Sequence, residues 1–575
     1  MLMPMTSTAA PPFSLPPARA ARHAPLAPAS LALALGLALS GAARADSCDS
    51  LAALKIDHVE ILQAAWRLDG VFHEDTATGR AGRVYRDLPG FCRVHGVARP
   101  VKGSEIEFDV WMPRDGWSKR LHMVGNGAYS SNIQYPQMAQ RLRAGDVAVG
   151  TNTGHKGGEL TFAIGKPESI VDFAHRAVHE SVLAAKALSK AFYSVAPSWS
   201  YFSGCSTGGY QGLMEAQRYP DDFDGIIAGA PGNNRANLNM AFLWNFQANR
   251  RPGDDATPIL PQSKLPMITA AAIQACDAGD GVTDGVINDP RACRFDPAAL
   301  LCKAGDQAGC LTGEQVEVVR KLYAGPVDVR TGKPVYPGYA VGSEGVVGGE
   351  DASHPGWSAY WANNKKPDEP LRLDFFRYWV YNQPDWNWKS FNWGSDIDAI
   401  DARIGALFNA TNPDLGRFKA RHGKLMMFMG WQDPVGAPAE VINYYSDVEA
   451  RAAGATEQAR REETQDYVRL YMVPGMAHCA GGPGATHFSS ATRDSMPPVK
   501  DAQHDMAVAL QDWVEKGKAP QALIATHFDG PKSARTIAFQ RPLCVYPQVA
   551  RYTGGPQDAA SAFACVAPAP AAKTN

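Results

Sequence analysis

Trp199-Ser200-Tyr201-Phe202-Ser203-Gly204-Cys205-Ser206-Thr207-Gly208-Gly209 is the stretch on which the reading of this chain turns. Trp199 to Ser203 reads as a short strand, and Gly208 to Arg218 as a helix that Tyr219-Pro220 ends. Between them lies G-x-S-x-G. A glycine on either side lets the backbone turn sharply and holds the middle residue in a strained conformation, its hydroxyl lifted clear of the sheet edge. The pentapeptide alone is common and also fits an ordinary turn. The strand before it and the helix after it make Ser206 a candidate nucleophile.

The same alternation continues outward. Upstream, Glu105 to Trp111 alternates, Leu121 to Val124 is a short apolar run, and Val147 to Val149 is another. Residues 171–193 place Ala174, Val178, Val182, Ala185 and Phe192 on one helical face. Downstream, Gly225 to Gly229, Lys424 to Met429 and Val468 to Val473 read as buried strands. Strands alternating with helices predict an α/β fold with a mostly parallel sheet. Residues 46–100 read as a cap or edge segment. Residues 231–415, rich in Asp/Gly turns and aromatics, read as a lid inserted between two core strands.

A serine nucleophile needs a base and a carboxylate to orient it. Behind such an elbow the chain order is Ser, then Asp or Glu, then His. Asp433 follows the predicted strand 424–429, and His478 sits in the Gly-containing loop after strand 468–473. Either also suits a plain loop residue; His422, His487 and His504 follow no strand so directly. Cys205 precedes Ser206 and Cys479 follows His478. A bridge between them would hold their Cα atoms roughly 4.4–6.8 Å apart and join nucleophile to base covalently. The developing oxyanion needs donors. The backbone N–H of Thr207 is one; the other is assigned to Ala128, with Gly127 as the alternative, in the loop Gly125-Asn126-Gly127-Ala128.

Composition sets the setting. With 45% hydrophobic and 20% charged residues, the chain has ample material for a core. Lys+Arg 56 against Asp+Glu 58 leaves a net charge of −2, which points to no nucleic-acid partner. The body holds no apolar run long enough to span a membrane. Arg19, Arg22 and His23, the apolar stretch Ala29 to Leu39 and then Ala43-Arg44-Ala45 read as an export signal over residues 1–45, without a lipidation cysteine box. The ten cysteines lie after that segment, and no C-x-x-C occurs. An even number in an oxidising compartment predicts five disulfides, with several hundred pairings open. The expected location is therefore the periplasm or the exterior. Oligomeric state is not legible.

Cys276-Asp277-Ala278-Gly279-Asp280-Gly281-Val282-Thr283-Asp284-Gly285-Val286 crowds three carboxylates on a glycine-bent loop. Like charges so close ask for a cation, and oxygen-only ligands suit calcium, with the carbonyls of Val282 and Val286 completing the shell. The spacing is not that of an EF-hand; a solvated turn is the plain alternative. By sequence distance the loop lies away from the serine. Between Trp357 and Trp393 runs a dense aromatic tract, most of it expected in the lid core and a few rings expected over Ser206.

Gly204-Cys205-Ser206-Thr207-Gly208-Gly209, Pro474-Gly475-Met476-Ala477-His478-Cys479 and the Asp-rich cysteine loop together resemble the tannase/feruloyl esterase family, which includes mono(2-hydroxyethyl) terephthalate hydrolase. The resemblance runs from Cys48 to Cys565. It implies an α/β-hydrolase core over 46–230 and 416–575, a lid over 231–415, a Ser206–Asp433–His478 triad and a Cys205–Cys479 bridge. It further implies Cys48–Cys92, Cys276–Cys293, Cys302–Cys310 and Cys544–Cys565, and a structural calcium on Asp277, Asp280, Val282, Asp284 and Val286. Where relatives often carry two glycines this chain has Gly127-Ala128; a backbone donor survives, and the methyl narrows the acyl pocket.

The expected function is a secreted serine carboxylic-ester hydrolase acting on small esters of aromatic acids: hydroxycinnamates, gallates or terephthalate monoesters. The alternatives are a catalytically silent hydrolase fold that binds partners through calcium, and a serine peptidase on the same scaffold.

Overall fold

Nine strands pair into one sheet: β1 (Val59–Arg67), β2 (Phe91–Ala98), β3 (Ile106–Pro113), β4 (Arg120–Val124), β5 (Val147–Thr151), β6 (Trp199–Cys205), β7 (Gly225–Gly229), β8 (Lys424–Gly430) and β9 (Val468–Val473). Their spatial order is β1-β2-β3-β5-β4-β6-β7-β8-β9. The first three pairings are antiparallel and the rest parallel. This computed structural model describes residues 47–74, 82–346, 356–363, 365–492, 494–531 and 533–568. The predicted export segment lies outside the described residues.

The central strands are covered on both faces, which is why they read as continuous apolar runs. Phe202, Ile226, Met427 and Leu470 face helices α1 (Ala177–Tyr193), α2 (Thr207–Arg218) and, beyond the insertion, Pro438–Ala450. Their strand neighbours Tyr201, Ile227, Met426 and Tyr471 face Met506–Lys516. The period-2 side chains thus feed two separate apolar clusters.

The predicted strands and helices of the core lie where their patterns put them, within two residues. Residues 46–100 are more regular than a cap: β1 and β2 form the antiparallel edge, stapled by Cys48–Cys92. Their alternation is blurred because β2 carries a charged residue inward. Arg93 is 5% exposed and bonds through Nε to buried Asp109 at 3.1 Å, and His95 Nδ1 reaches the same carboxylate at 3.0 Å. The predicted helix 171–193 is interrupted by a π turn at Asp172–Arg176. Asp172 is drawn inward there, accepting from Ser104 Oγ at 2.7 Å and Arg176 Nε at 2.5 Å.

Residues 230–423 enter between β7 and β8, which are direct neighbours in the sheet. The inserted chain therefore leaves beside the C-terminal end of β6, where Ser206 lies. It does not stand apart from the core: Asp46–Asn575 form one compact unit. Phe375, Phe376, Trp379 and Phe391 bury themselves with Tyr129, Phe173 and Ala174 of the core, while Trp357 and Trp361 pack in a second cluster with Gly313–Ala324. The C-terminal segment makes two hairpins, Ala522–Asp529 with Thr536–Cys544 and Val549–Tyr552 with Phe563–Val566, bridged by Cys544–Cys565. The Ala/Pro-rich end, 569–575, lies outside the described residues.

Three glycines from different elements meet backbone to backbone beneath the elbow. A Cβ on Gly204 or on Gly125 would lie 2.5 Å from the Gly208 Cα. Gly204→Ala is therefore expected to destabilise the protein by about 1–3 kcal/mol, the usual range for overpacking. Gly309→Ala, where an added Cβ meets nothing within 4 Å, is expected to stay within about 0.5 kcal/mol. Urea midpoints at unchanged m-value distinguish the two; equal midpoints would refute the packing argument.

Candidate active site

Ser206 sits at the junction of β6 and α2 with φ 63° and ψ −119°. A non-glycine residue held at such a φ costs about 1–3 kcal/mol and persists only where its surroundings impose it. They do so here. The Ser206 N–H donates to Gly229 O at 3.0 Å, and its carbonyl accepts from Tyr210 N at 3.0 Å in the first turn of α2. Gly209 lets α2 start hard against β7: a Cβ there would meet Gly229 O at 2.1 Å.

The other two predicted residues come together across two loops. Asp433, three residues beyond β8, is fully buried. Its Oδ1 accepts from Val435 N at 2.7 Å and Gly436 N at 3.1 Å, which leaves Oδ2 for His478 Nδ1 at 2.7 Å. A proton on Nδ1 donates into that bond and leaves Nε2 free on the far side of the ring. His478 follows β9 in a loop bent by Gly475 at φ 68°. Cys205 and Cys479 are bridged, with Cα atoms 5.9 Å apart across 274 residues of sequence. All five pairings expected from the resemblance are present, and among the described residues no cysteine is free.

The loop after β4 is fastened to helix α2. Asn126 N donates to Gln211 Oε1 at 2.9 Å, Gln211 Nε2 donates back to Asn126 Oδ1 at 3.2 Å, and Asn126 Nδ2 reaches Thr151 O at 2.8 Å. Ala128 adopts φ 48°, and its carbonyl accepts from Thr207 Oγ1 at 2.5 Å and Arg235 Nη2 at 3.1 Å. Thr207 is the first residue of α2, so its N–H belongs to the positive end of the helix.

Gly127, Ala128, Cys205, Ser206, His478 and Cys479 line one cleft of about 570 Å³, within the range of small-molecule sites. Of the aromatic tract 357–393, only Tyr360 lines it; the other rings of the tract fill the two apolar clusters and their margins. Sequence reasoning missed Gln211, Arg235 and Arg372. Arg372 lines the cleft with Ser206, its guanidinium 4.7 Å from the Phe242 ring centroid and without a carboxylate partner among the described residues. Burial and the nearby Arg235 cation lower its pKa. No motif flags either arginine, because both lie in the stretch 231–415 read as lid.

The Asp-rich loop is not remote from the site. It packs against the C-terminal hairpins through Val282 and lies beside Pro474 and Gly475 of the histidine loop. Sequence distance hid this contact: Asp280, Asp284 and Val286 share a cleft with Pro474, which directly follows β9. Asp277 accepts from Asp284 N at 3.3 Å and Gly285 N at 2.9 Å; Asp284 Oδ2 meets Arg541 Nη2 at 2.6 Å. Burial chiefly, with Asp284 and Asp277 adding repulsion, lifts the Asp280 carboxyl to about 6. Among the described residues no three acidic, histidine or cysteine side chains converge as a metal-ligating group.

A doubly covered α/β sheet in this strand order, with its cleft at the C-terminal strand ends, defines the α/β-hydrolase fold, and the known relatives make the chain a carboxylic ester hydrolase. Residues 92–566 match the family described as tannase and feruloyl esterase, and the chain belongs to that family. It is 37% identical to an uncharacterized esterase of Xanthomonas campestris pv. campestris over 93% of each chain. It is 33% identical to a probable feruloyl esterase B-2 of Aspergillus terreus, over 80% of this chain and 82% of that one. The crystal structure of feruloyl esterase B from Aspergillus oryzae superposes with a TM-score of 0.80 at 27% identity, covering 91% of this chain and 100% of that chain. Tannin acyl hydrolase from Aspergillus niger shares the fold, with a TM-score of 0.68 at 24% identity over 91% of this chain and 96% of that one.

The Cys205–Cys479 bridge adjoins both Ser206 and His478, so it bears on geometry as well as stability. Chain entropy alone assigns it about 5 kcal/mol. A displacement of about 1 Å between reacting groups costs on the order of 100-fold in rate. Cys205→Ala/Cys479→Ala is expected to remain folded with strongly reduced kcat and a modest change in KM, whereas Cys302→Ala/Cys310→Ala changes the melting temperature and leaves kcat near wild type. Circular dichroism melts beside steady-state kinetics decide it; equal kcat in the two double variants would refute the role of the bridge.

Proposed function

We propose that the protein is an exported serine esterase that hydrolyses esters of aromatic acids through an acyl-enzyme. The observation that carries this reading is the Asp433–His478 hydrogen bond opening into the same cleft as the strained Ser206, with Cys205–Cys479 joining the two sides. In this mechanism Ser206 Oγ attacks the ester carbonyl as His478 Nε2 takes its proton, and buried Asp433 steadies the resulting imidazolium. The carbonyl oxygen, now anionic, is held by the N–H groups of Thr207 and of Ala128, or of Gly127. His478 returns the proton to the leaving alkoxide. Water, activated by the same histidine, then releases the acid and frees Ser206.

The cleft suits a flat acyl group. Tyr360 supplies an aromatic wall, and the Arg372 guanidinium offers donors to oxygen substituents on the acyl ring. Residues 231–415 act as the lid that carries both. Hydroxycinnamate, gallate and terephthalate monoesters all meet these demands. Comparing methyl ferulate, methyl gallate, chlorogenate and mono(2-hydroxyethyl) terephthalate by kcat/KM selects among them, and p-nitrophenyl esters against anilides separate an esterase from a peptidase. Five disulfides support folding in an oxidising compartment, periplasmic or extracellular.

For the Asp-rich loop we infer calcium from donor type alone: Asp277, Asp280, Asp284 and the carbonyls of Val282 and Val286 are the hard oxygen ligands that ion takes, although the three carboxylates do not converge here and Asp284 pairs with Arg541. Calcium bound there would offset the remaining repulsion and brace the histidine loop, with no part in the chemistry.

Ser206→Ala is expected to abolish hydrolysis, on the order of 10⁶ in kcat, with an unchanged melting curve. An arylphosphonate that labels the wild type and not the variant checks the assignment, and near-normal turnover in a clean preparation would sink it. Chelation is expected to lower the melting temperature and added calcium to restore it. Identical calorimetric transitions with EDTA and with calcium, together with no calcium on metal analysis, would remove the ion from the account.

A further inference from the structure

Arg235 opens helix α3 (Arg235–Ala248) and is 3% exposed. Its guanidinium lies among four rings, with centroids of Tyr129 at 4.8 Å, Tyr210 at 4.9 Å, Phe173 at 5.4 Å and Phe408 at 5.6 Å. Among the described residues it has no carboxylate partner. A buried cation without a counter-ion is costly, and ring faces offset only part of that cost. Its hydrogen bonds explain its presence better than packing does. Nη2 donates to Thr207 Oγ1 at 2.9 Å and to Ala128 O at 3.1 Å, and Thr207 Oγ1 donates to the same carbonyl at 2.5 Å. One guanidinium thus ties the elbow to the loop after β4, the two segments assigned the oxyanion donors.

The tie falls at a residue that needs it. Ala128 holds φ 48°, a conformation that a side chain disfavours and that glycine adopts freely. Two donors on its carbonyl fix that peptide unit in place. We propose that Arg235 is a positioning residue for ester hydrolysis: it locks Ala128 against Thr207 so that both backbone donors converge above Ser206, and its charge adds to the field on the oxyanion. This rests on the Ser206 esterase reading. Arg235 touches Thr207 and Ala128 and acts through them.

The test compares Arg235→Met, which keeps much of the bulk, with Arg235→Lys, which keeps the charge, and with Arg235→Met/Ala128→Gly. Readouts are kcat, KM, inhibition by an arylboronic acid that forms a tetrahedral adduct, inhibition by the aromatic acid product, and the melting temperature. Arg235→Met is expected to lose on the order of 100-fold in kcat with KM within about twofold. Boronate affinity should fall in step with kcat/KM and product affinity should hold. Arg235→Lys should recover about tenfold of that loss, and glycine at 128 should recover part of it by relieving the strained φ. If Arg235→Met does not fold, Arg235→Lys carries the same comparison. A kcat within about twofold of wild type, or equal losses of boronate and product affinity, would overturn the proposal. Phosphonate labelling of Ser206 in the wild type separates the outcomes: no labelling refutes the esterase reading itself, whereas normal labelling with unchanged Arg235→Met kinetics refutes only the role of Arg235.

Discussion

The structure depends on a close approach of main chain to main chain at the elbow. Gly125, Gly204 and Gly208 meet where any side chain would push the loop, strand and helix apart, and Gly209 does the same against Gly229. That approach sets the height of Ser206 above the sheet, the start of α2 and the distance of the Gly125–Ala128 loop. Its cost is the positive φ of Ser206, which no bond of the serine alone could sustain. The apolar clusters on both faces of the sheet supply the stability against which that strain is held.

Two covalent or charged ties then carry the constraint outward, one on each side of the serine. On one side, Cys205–Cys479 reaches the histidine loop, whose far end rests on Asp433 through a carboxylate saturated by backbone donors. On the other, Arg235 and Thr207 reach Ala128, and the Gln211–Asn126 amide pair repeats the connection one step away. The site is therefore built on strand ends and one helix start, with the histidine loop and the loop after β4 each fastened to the elbow and the histidine loop fastened also to the Asp433 loop.

Much of this was legible in the sequence, for a definite reason. Buried parallel strands read as apolar runs, and the elbow, Asp433 and His478 each follow such a run directly, so position along the chain implied position at the sheet edge. The edge strands were less legible because Arg93 points inward to Asp109, so charge replaced the apolar half of the alternation. Arg235 and Arg372 were invisible because their roles depend on which rings and carbonyls the insertion brings near them. The contact of the Asp-rich loop with the histidine loop was hidden for the same reason: separation along the chain says nothing of which segments Asp280 and Val286 meet, here Pro474 after β9.

That last point bears on how the insertion relates to the core. Its aromatic tract, read as lid interior, shares one apolar cluster with Tyr129 and Phe173, and those same two rings surround Arg235. The rings that fasten the insertion therefore also cage the cation behind the Ala128 loop. An insertion anchored in this cluster is coupled to Arg235, and through it to Ala128. On the cleft rim, Arg372 meets one of the same rings, Tyr129, and its backbone is itself at φ 58°. The cleft rim and the Ala128 loop are thus coupled through one ring: Tyr129 faces the Arg372 guanidinium at 5.2 Å and the Arg235 guanidinium at 4.8 Å.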